Sequence, residues 1–391
     1  MLKRFIIRAR ALAGDEEPLE DKLVVISGRR IENILPSSAA GRFSPKSFIG
    51  AQRYLVLPGL VDIHCHGGGG ADTSTLGGLL AASYFHASQG TTAMLLSVFF
   101  RDLDDLARQA ELLQEARQQA PLRLLGLHLE GPYLNPEARG SIPADVVRPV
   151  DLDELDAILE AGLGEIRVMT VAPELPGAED VVRKLRSEGV VAALGHSLAT
   201  AEQAHAAAEW GATLVTHLGN AMRPFHQRDP GLVGAALADP RLTAEVIADG
   251  VHLAPEALSM FLRGKVGELI LVSDCRWVAG LPDGEYTQPK VETLKVEQGL
   301  ARQADGTIAG GVYPLWRGVT VAADMPKMTI FNAVRMATRN PARLLRHKGL
   351  GRIGVNGLAD LVLAGPDLSI RRVFVRGVEI FRAPGEPPLP E

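Results

Sequence analysis

Cysteine is nearly absent: Cys65 and Cys275 are the only two in 391 residues. Two cysteines make no disulfide framework, and both fall inside segments that carry candidate chemistry, where a bridge would compete with it. Long apolar runs are missing too. Hydrophobic residues make up 46% of the chain, yet no run reaches the ~18 residues that span a bilayer. The opening residues, Met1 to Arg8, mix charge into their apolar run and offer no small-residue cleavage site, so no signal peptide is expected. Nor is there a basic excess. Lys and Arg number 41 against 46 Asp and Glu, a net charge of −5, and the charges are interspersed without the basic stripe of a nucleic-acid binder. The expectation is a soluble cytoplasmic protein with no membrane or nucleic-acid partner, long enough to bury a large core.

What is present divides into two patterns. Residues 1–57 read as short strands with turns, and residues 358–391 read the same way before dissolving into prolines, so the two ends are expected to form one small β-sandwich domain. Between them, residues 58–357 alternate apolar, β-branched runs with Ala-, Leu-, Glu- and Arg-rich helical stretches. The runs are Leu60–His66, Thr91–Ser97, Leu124–Glu130, Ile166–Val171, Val190–His196, Thr213–His217, Leu242–Asp249 and Glu268–Asp274. Strands alternating with helices argue parallel βα units, and eight of them argue a (β/α)8 TIM barrel of the α/β class. Parallel sheets leave no face wet, which explains runs that are apolar almost throughout. One stretch, at about 282–311, is rich in Gly, Asp, Lys and Gln and is expected to be a lid-like insertion at the barrel mouth.

The polar residues sit unevenly on this frame. His64 and His66 end the first run, Glu130 the third, His196 the fifth, His217 the sixth and Asp274 the eighth. Strand residues i and i+2 face the same way, so His64 and His66 can aim at one point while Cys65 points away. In a barrel the strand C-termini converge on the active face. Any one of these histidines alone is an ordinary buried residue; six such side chains at five strand ends are a site. Imidazoles with a carboxylate suit Zn2+ or Fe2+, whereas Ca2+ and Mg2+ prefer oxygen. Glu130, His196 and His217 supply three ligands and leave a position open for water. His64 and His66 could complete a second metal with Glu130 bridging, giving one or two ions per subunit. Asp274 is then the spare carboxylate, free to act as general base and afterwards as general acid.

The segments around these residues carry a resemblance. Pro58 to Gly67, His128-Leu129-Glu130-Gly131-Pro132, Leu194-Gly195-His196-Ser197, His217-Leu218-Gly219-Asn220-Ala221-Met222, Arg228-Asp229-Pro230-Gly231, Asp249-Gly250-Val251-His252 and Val272-Ser273-Asp274 follow one another in the chain. In this order they resemble the N-acetylglucosamine-6-phosphate deacetylase family of the amidohydrolase superfamily. The resemblance implies metal-dependent hydrolysis of the acetamide on an amino-sugar phosphate, and a homodimer. It also implies substrate contacts from Ser141, Ile142, Asn220, Ala221, Arg228 and His252 and from Ile308, Ala309, Gly310 and Gly311. Arg228 would hold the phosphate, for which a guanidinium is the natural bidentate clamp.

The departures from the family lie on the substrate side. Ile142 stands where the family usually places a histidine that touches the sugar. Gly219 replaces a residue that is commonly aromatic, Gly311 replaces a common serine, and Cys275-Arg276-Trp277 follows Asp274 in place of small residues. Arg276 is a candidate second anion contact, and a different N-acetylated sugar or N-acyl amine is the alternative substrate. Another barrel metallohydrolase is a further alternative, but many of those bridge two metals with a modified lysine on the fourth strand, and Ile166–Val171 holds no lysine. A catalytically inactive sugar-phosphate-binding protein is the remaining reading; the intact ligand set and Asp274 speak against it.

Overall fold

The computed structural model describes residues 4–14, 17–50, 53–265, 267–288 and 292–390. Its centre is an eight-stranded sheet in sequential order. The strands are Leu60–Asp62, Thr91–Phe99, Arg123–Glu130, Ile166–Val171, Val191–Leu194, Leu214–Val215, Thr243–Val246 and Leu269–Leu271, all paired in parallel. Six lie within the apolar runs, and the other two, Thr91–Phe99 and Arg123–Glu130, overrun theirs by two residues and one residue. Val61, Leu95, Val168, Leu214 and Ile270 fill the interior, which Ala342 and Leu350 plug from below, so the barrel is a packed core and not a pore.

The first and eighth strands do not pair along their length; beyond their ends Cys65 and Cys275 make an isolated parallel bridge. The first and eighth strands are joined at their C-terminal ends, where Asp274 N donates to His64 O at 2.9 Å and His66 N to Cys275 O at 2.8 Å. At the opposite end, Val61 N donates to Ala337 O at 2.8 Å and Asn340 Nδ2 to Leu269 O at 2.6 Å. Local sequence starts the helices where the strand-end loops require it. Thr200 and Gln203 form a reciprocal capping box at the head of helix Ala201–Trp210, directly after the His196 loop.

The chain ends build a second sheet of seven strands. Arg4–Leu12, Leu19–Ser27, Arg30–Pro36 and Tyr54–Pro58 come from the first part of the chain, Leu361–Ala364, Ile370–Val375 and Val378–Arg382 from the last. All neighbours are antiparallel except Arg4–Leu12 with Tyr54–Pro58. The sandwich is one sheet folded over. Phe5 and Phe374 lie on strands with two others between them, about 14 Å apart on a flat sheet, yet their rings stack at 5.3 Å.

Gly284–Gln288, Glu292–Glu297, Leu300–Arg302 and Ile308–Gly311 form a four-stranded antiparallel sheet with a small core of its own around Trp277, Leu294 and Val296. It is tied to the barrel mouth by Gln303 Nε2, which donates to Ser141 O at 2.9 Å. The Gln288 amide also donates to the Asp72 carboxylate. No helix among the described residues is long and apolar enough to cross a membrane.

Candidate metal centre

The strand ends deliver their side chains through strained backbone. His196, His217 and Asp274 have φ of 48°, 28° and 47°, the left-handed region that residues with a Cβ seldom occupy and that clusters at functional sites. Each strand thus breaks at its terminal polar residue and turns the side chain over the barrel mouth. Gly195 allows this for His196: a Cβ there would lie 2.8 Å from Thr216 Cβ.

Two clusters share Glu130. Its Oε1 lies 2.8 Å from His196 Nε2 and 3.2 Å from His217 Nε2, and the two imidazole nitrogens are 3.0 Å apart. Ligands about 2.05 Å from a tetrahedral zinc would be roughly 3.3 Å apart, so the three atoms nearly match that spacing. Glu130 Oε2 faces the other way, 3.4 Å from His66 Nε2, while His64 Nε2 is 3.6 Å from Oε1. Asp274 Oδ1 stands 3.4 Å from both His64 Nε2 and His66 Nε2. All of these residues are buried except Asp274 and His66, which are slightly more open.

The proton inventory favours a cation. His196 Nδ1 faces the carbonyl of Ala138 at 2.9 Å, and a carbonyl only accepts, so a hydrogen sits on Nδ1 and Nε2 is the atom left to bind a cation. His64 Nδ1 likewise donates to Glu245 Oε2 at 2.9 Å, leaving Nε2 without a hydrogen-bond partner among the described residues. The Nε2 atoms of both rings thus converge on carboxylate oxygens, where either a proton or a cation must stand between them. Burial disfavours a proton on His64, yet the charges of Asp274, Glu245 and Glu130 outweigh it and hold its pKa well above the usual value. Burial also opposes the charge on Glu130, but neighbouring His64 and His196 hold its pKa well below the carboxylate range. Asp274 is depressed in the same way, His64 outweighing burial. The field that attracts a proton here would attract a metal ion equally, and the donor set fits one.

Several supporting residues escaped the sequence reading. Glu245 in the seventh strand is fully buried; the signal for it was a lone charge inside an apolar run. Thr170 and Thr216 extend a relay from His128: its Nδ1 donates to Ile63 O at 3.0 Å, and Thr170 Oγ1 donates to its Nε2 at 2.9 Å. Thr216 then donates to Thr170 at 2.9 Å. Burial and the charge of His64 lower the His128 pKa to about 4, so this ring is neutral. Glu174 ties the mouth loops together, accepting from Asn135 Nδ2 at 2.9 Å and Ser197 Oγ at 2.6 Å. His86, a helix residue with no strand-end placement, donates to Gly67 O at 2.9 Å and braces the turn after His66. Both cysteines are free and buried.

The residues implied as substrate contacts fall into three groups. Asn220 and Ala221 are partly buried in the loop after His217, where Ala221 O accepts from Ser197 N at 3.2 Å. His252 Nδ1 donates to Asp249 Oδ2 at 2.7 Å, and its Nε2 has no partner among the described residues. Ser141, Ala309, Gly310 and Gly311 lie where the inserted sheet meets the mouth, and Ile308 at its edge is 38% exposed. Arg228 is exposed on the loop beyond Met222. Ile142 is instead 1% exposed, sealed in a small apolar cluster with Leu134 and Val146. Arg276 also departs from expectation: its guanidinium donates to Ala309 O at 3.1 Å, pairs with Glu292 and lies over the Phe99 ring. It clamps the inserted sheet and is not free for an anion. Gly311 has a local cause, since a Cβ there would stand 2.4 Å from Ser273 O.

Known proteins share this architecture. The sequence profile of the amidohydrolase family matches residues 55–380. The N-acetylgalactosamine-6-phosphate deacetylase of Escherichia coli O157:H7 is 32% identical, covering 95% of this chain and 98% of its own. The N-acetylglucosamine-6-phosphate deacetylase of Bacillus subtilis strain 168 is 31% identical, covering 96% and 97%. Among solved structures, a mutant N-acetyl-D-glucosamine-6-phosphate deacetylase from Mycobacterium smegmatis in complex with N-acetyl-D-glucosamine-6-phosphate superposes with a TM-score of 0.87 at 32% identity, over 97% of this chain and 99% of that one. The Pasteurella multocida N-acetylglucosamine-6-phosphate deacetylase superposes at 0.88 with 26% identity, over 96% and 98%. A barrel whose strand ends gather four histidines and two carboxylates, matched over nearly its whole length by these enzymes, belongs to the amidohydrolase family.

Proposed function

We propose that the chain hydrolyses the acetamide of N-acetylglucosamine-6-phosphate to glucosamine-6-phosphate and acetate, as a homodimer in the cytoplasm. The observation that carries this reading is the convergence of Glu130, His196 and His217 on one point beside a separate carboxylate, Asp274. A divalent metal, Zn2+ by the nitrogen-rich donor set, would be held by Glu130, His196 and His217 and would supply a water nucleophile at neutral pH and polarise the acetamide carbonyl. His64, His66 and Glu130 offer a second position.

The chain's own groups supply the rest. Asp274 is ionised at neutral pH, as an accepting base must be. It takes the proton of the attacking water and delivers it to the departing amine nitrogen, which leaves as the free amino sugar. His252 Nε2, held by the Asp249 bond to the other ring nitrogen, is available to a sugar hydroxyl. Arg228 makes no ion pair among the described residues and takes the 6-phosphate. The inserted sheet, tied to the barrel mouth by Gln303 and Arg276, abuts Asp274 where Gly311 N donates to Asp274 O at 2.7 Å, and would limit water there.

Acetate release from purified, metal-loaded protein tests this. N-acetylglucosamine-6-phosphate is expected to turn over with kcat/KM above ~10⁴ M⁻¹s⁻¹, ordinary for enzymes, and the sugar without phosphate far more slowly. The two curated relatives named above act on sugars that differ at one ring carbon, so N-acetylgalactosamine-6-phosphate is the necessary second substrate. Faster turnover of that epimer would move the sugar assignment, and turnover of neither would overturn the deacetylase reading.

A further inference from the structure

We propose that Glu245 is a positioning residue that gives the His64–His66–Glu130 cluster its affinity for a metal ion. The proposal rests on the metal centre described above.

Glu245 lies in the seventh strand with its carboxylate wholly inside the barrel. A carboxylate there is costly unless its oxygens are engaged. Oε2 is engaged twice, by His64 Nδ1 at 2.9 Å and by the backbone N of His217 at 3.2 Å. Oε1 has no hydrogen-bond partner among the described residues and stands 3.9 Å from His128 Nδ1, whose hydrogen is already given to Ile63 O. One oxygen therefore spans both halves of the centre while the other makes no bond.

The bond to His64 matters most, because that ring has a choice. With its hydrogen on Nδ1, Nε2 offers a lone pair toward Glu130 and Asp274. With the hydrogen on Nε2, the same atom would donate to those carboxylates, 3.6 and 3.4 Å away, and a cation would be displaced. Glu245 is the group that selects the first arrangement, as carboxylates behind metal-bound imidazoles do. A neutral amide at the same place would fill the volume but hold the Nδ1 hydrogen less strongly. The effect is directional: on the other side Glu245 meets only the backbone N of His217, a bond that the amide oxygen of a glutamine also accepts, and His196 gives its Nδ1 hydrogen to the Ala138 carbonyl and to no part of Glu245. One metal position should weaken and the other should not.

The test is metal content by plasma mass spectrometry after equilibration with Zn2+ buffered by graded chelator, on wild type, Glu245→Gln, His64→Asn and the double variant. Wild type is expected to hold two ions. Glu245→Gln is expected to lose affinity for one of them by about 10- to 100-fold while the other is unchanged, and to add nothing in the His64→Asn background. Glu245→Asp keeps the charge but withdraws it by one methylene, and is expected to weaken the same ion. Melting of the metal-free proteins separates this from a folding defect: a general defect would weaken both ions and lower the metal-free melting temperature. Equal weakening of both ions, an undiminished effect of Glu245→Gln without His64, or a single ion in wild type would each overturn the proposal. None of these readouts uses a substrate. Failure to release acetate with two ions bound would therefore strike the proposed activity and leave the role of Glu245 standing.

Discussion

At the residue scale, division of labour between carboxylates organises the centre. Glu130 points one oxygen at His196 and His217 and the other at His66, the posture of a ligand. The Asp274 carboxylate faces His64 and His66 and keeps more exposure than Glu130, the posture that the proposed acid–base role requires. The Asp274→Asn variant should accordingly retain its metal and bind substrate but lose turnover by ~10²–10⁴-fold, the usual contribution of a general acid–base. Metal analysis beside acetate release checks this, and retained activity would remove Asp274 from the chemistry. Asp274, Glu130 and the four histidines were all readable from the sequence because each terminates an apolar run. Glu245 was not, because it sits inside one. Ile142 and Arg276 were read as substrate-facing from their neighbours in sequence, whereas packing against Leu134 and pairing with Glu292 decide where they point.

At the scale of elements, the helices are fastened to the barrel by ion pairs as well as by apolar contact. Arg117, just past helix Leu103–Ala116, donates to both oxygens of the buried Glu165 carboxylate at 2.9 and 2.6 Å, and Gln114 adds a bond at 3.2 Å. Burial pushes the Glu165 pKa up, but the Arg117 bonds outweigh it and the net shift is downward. A lowered folded-state pKa stabilises the fold above the ordinary carboxylate range, and that contribution fades as pH falls through the lowered value. Arg117→Leu should therefore destabilise by about 1–3 kcal/mol near neutrality, the cost of leaving a buried acceptor short of partners. The gap to wild type should close in acid. Denaturant melts at pH 7 and pH 3 measure both ends, and a gap that does not narrow would refute the pairing. The eight strands themselves could be found in the sequence because parallel strands are apolar on both faces. The four strands of the insertion could not be resolved individually: their alternation is short and half exposed, and only a hairpin or lid was legible.

For the whole molecule, the metal centre and the fold are one problem. The proposed ligands lie at the ends of four barrel strands, and any ion they shared would crosslink those strands in the native state only. Holding free Zn2+ near a thousand times its dissociation constant should add about 4 kcal/mol to native stability. Thermal melts with and without chelator are expected to differ by several degrees, and identical melts after demonstrated metal removal would show that the ion does not clamp the barrel. Sequence patterning could not reveal how the ring closes. Periodicity marks strands, but closure depends on residues 337–340 and on the strand-end turns, whose contacts are set by distant partners.

That closure carries a consequence for how the protein comes into being. Ser273 N reaches Asp62 Oδ1 at 3.3 Å across 211 positions of chain, and Asp274 N reaches His64 O beside it. Contacts between such remote segments form late, after the loop-closure entropy of everything between them has been met. On the ribosome, the first histidines emerge early and must wait for the eighth strand before their neighbours exist. The seam thus ties completion of the polypeptide to completion of the candidate site: an unfinished barrel lacks Asp274, and with it both the joint and the carboxylate proposed as the acid–base group.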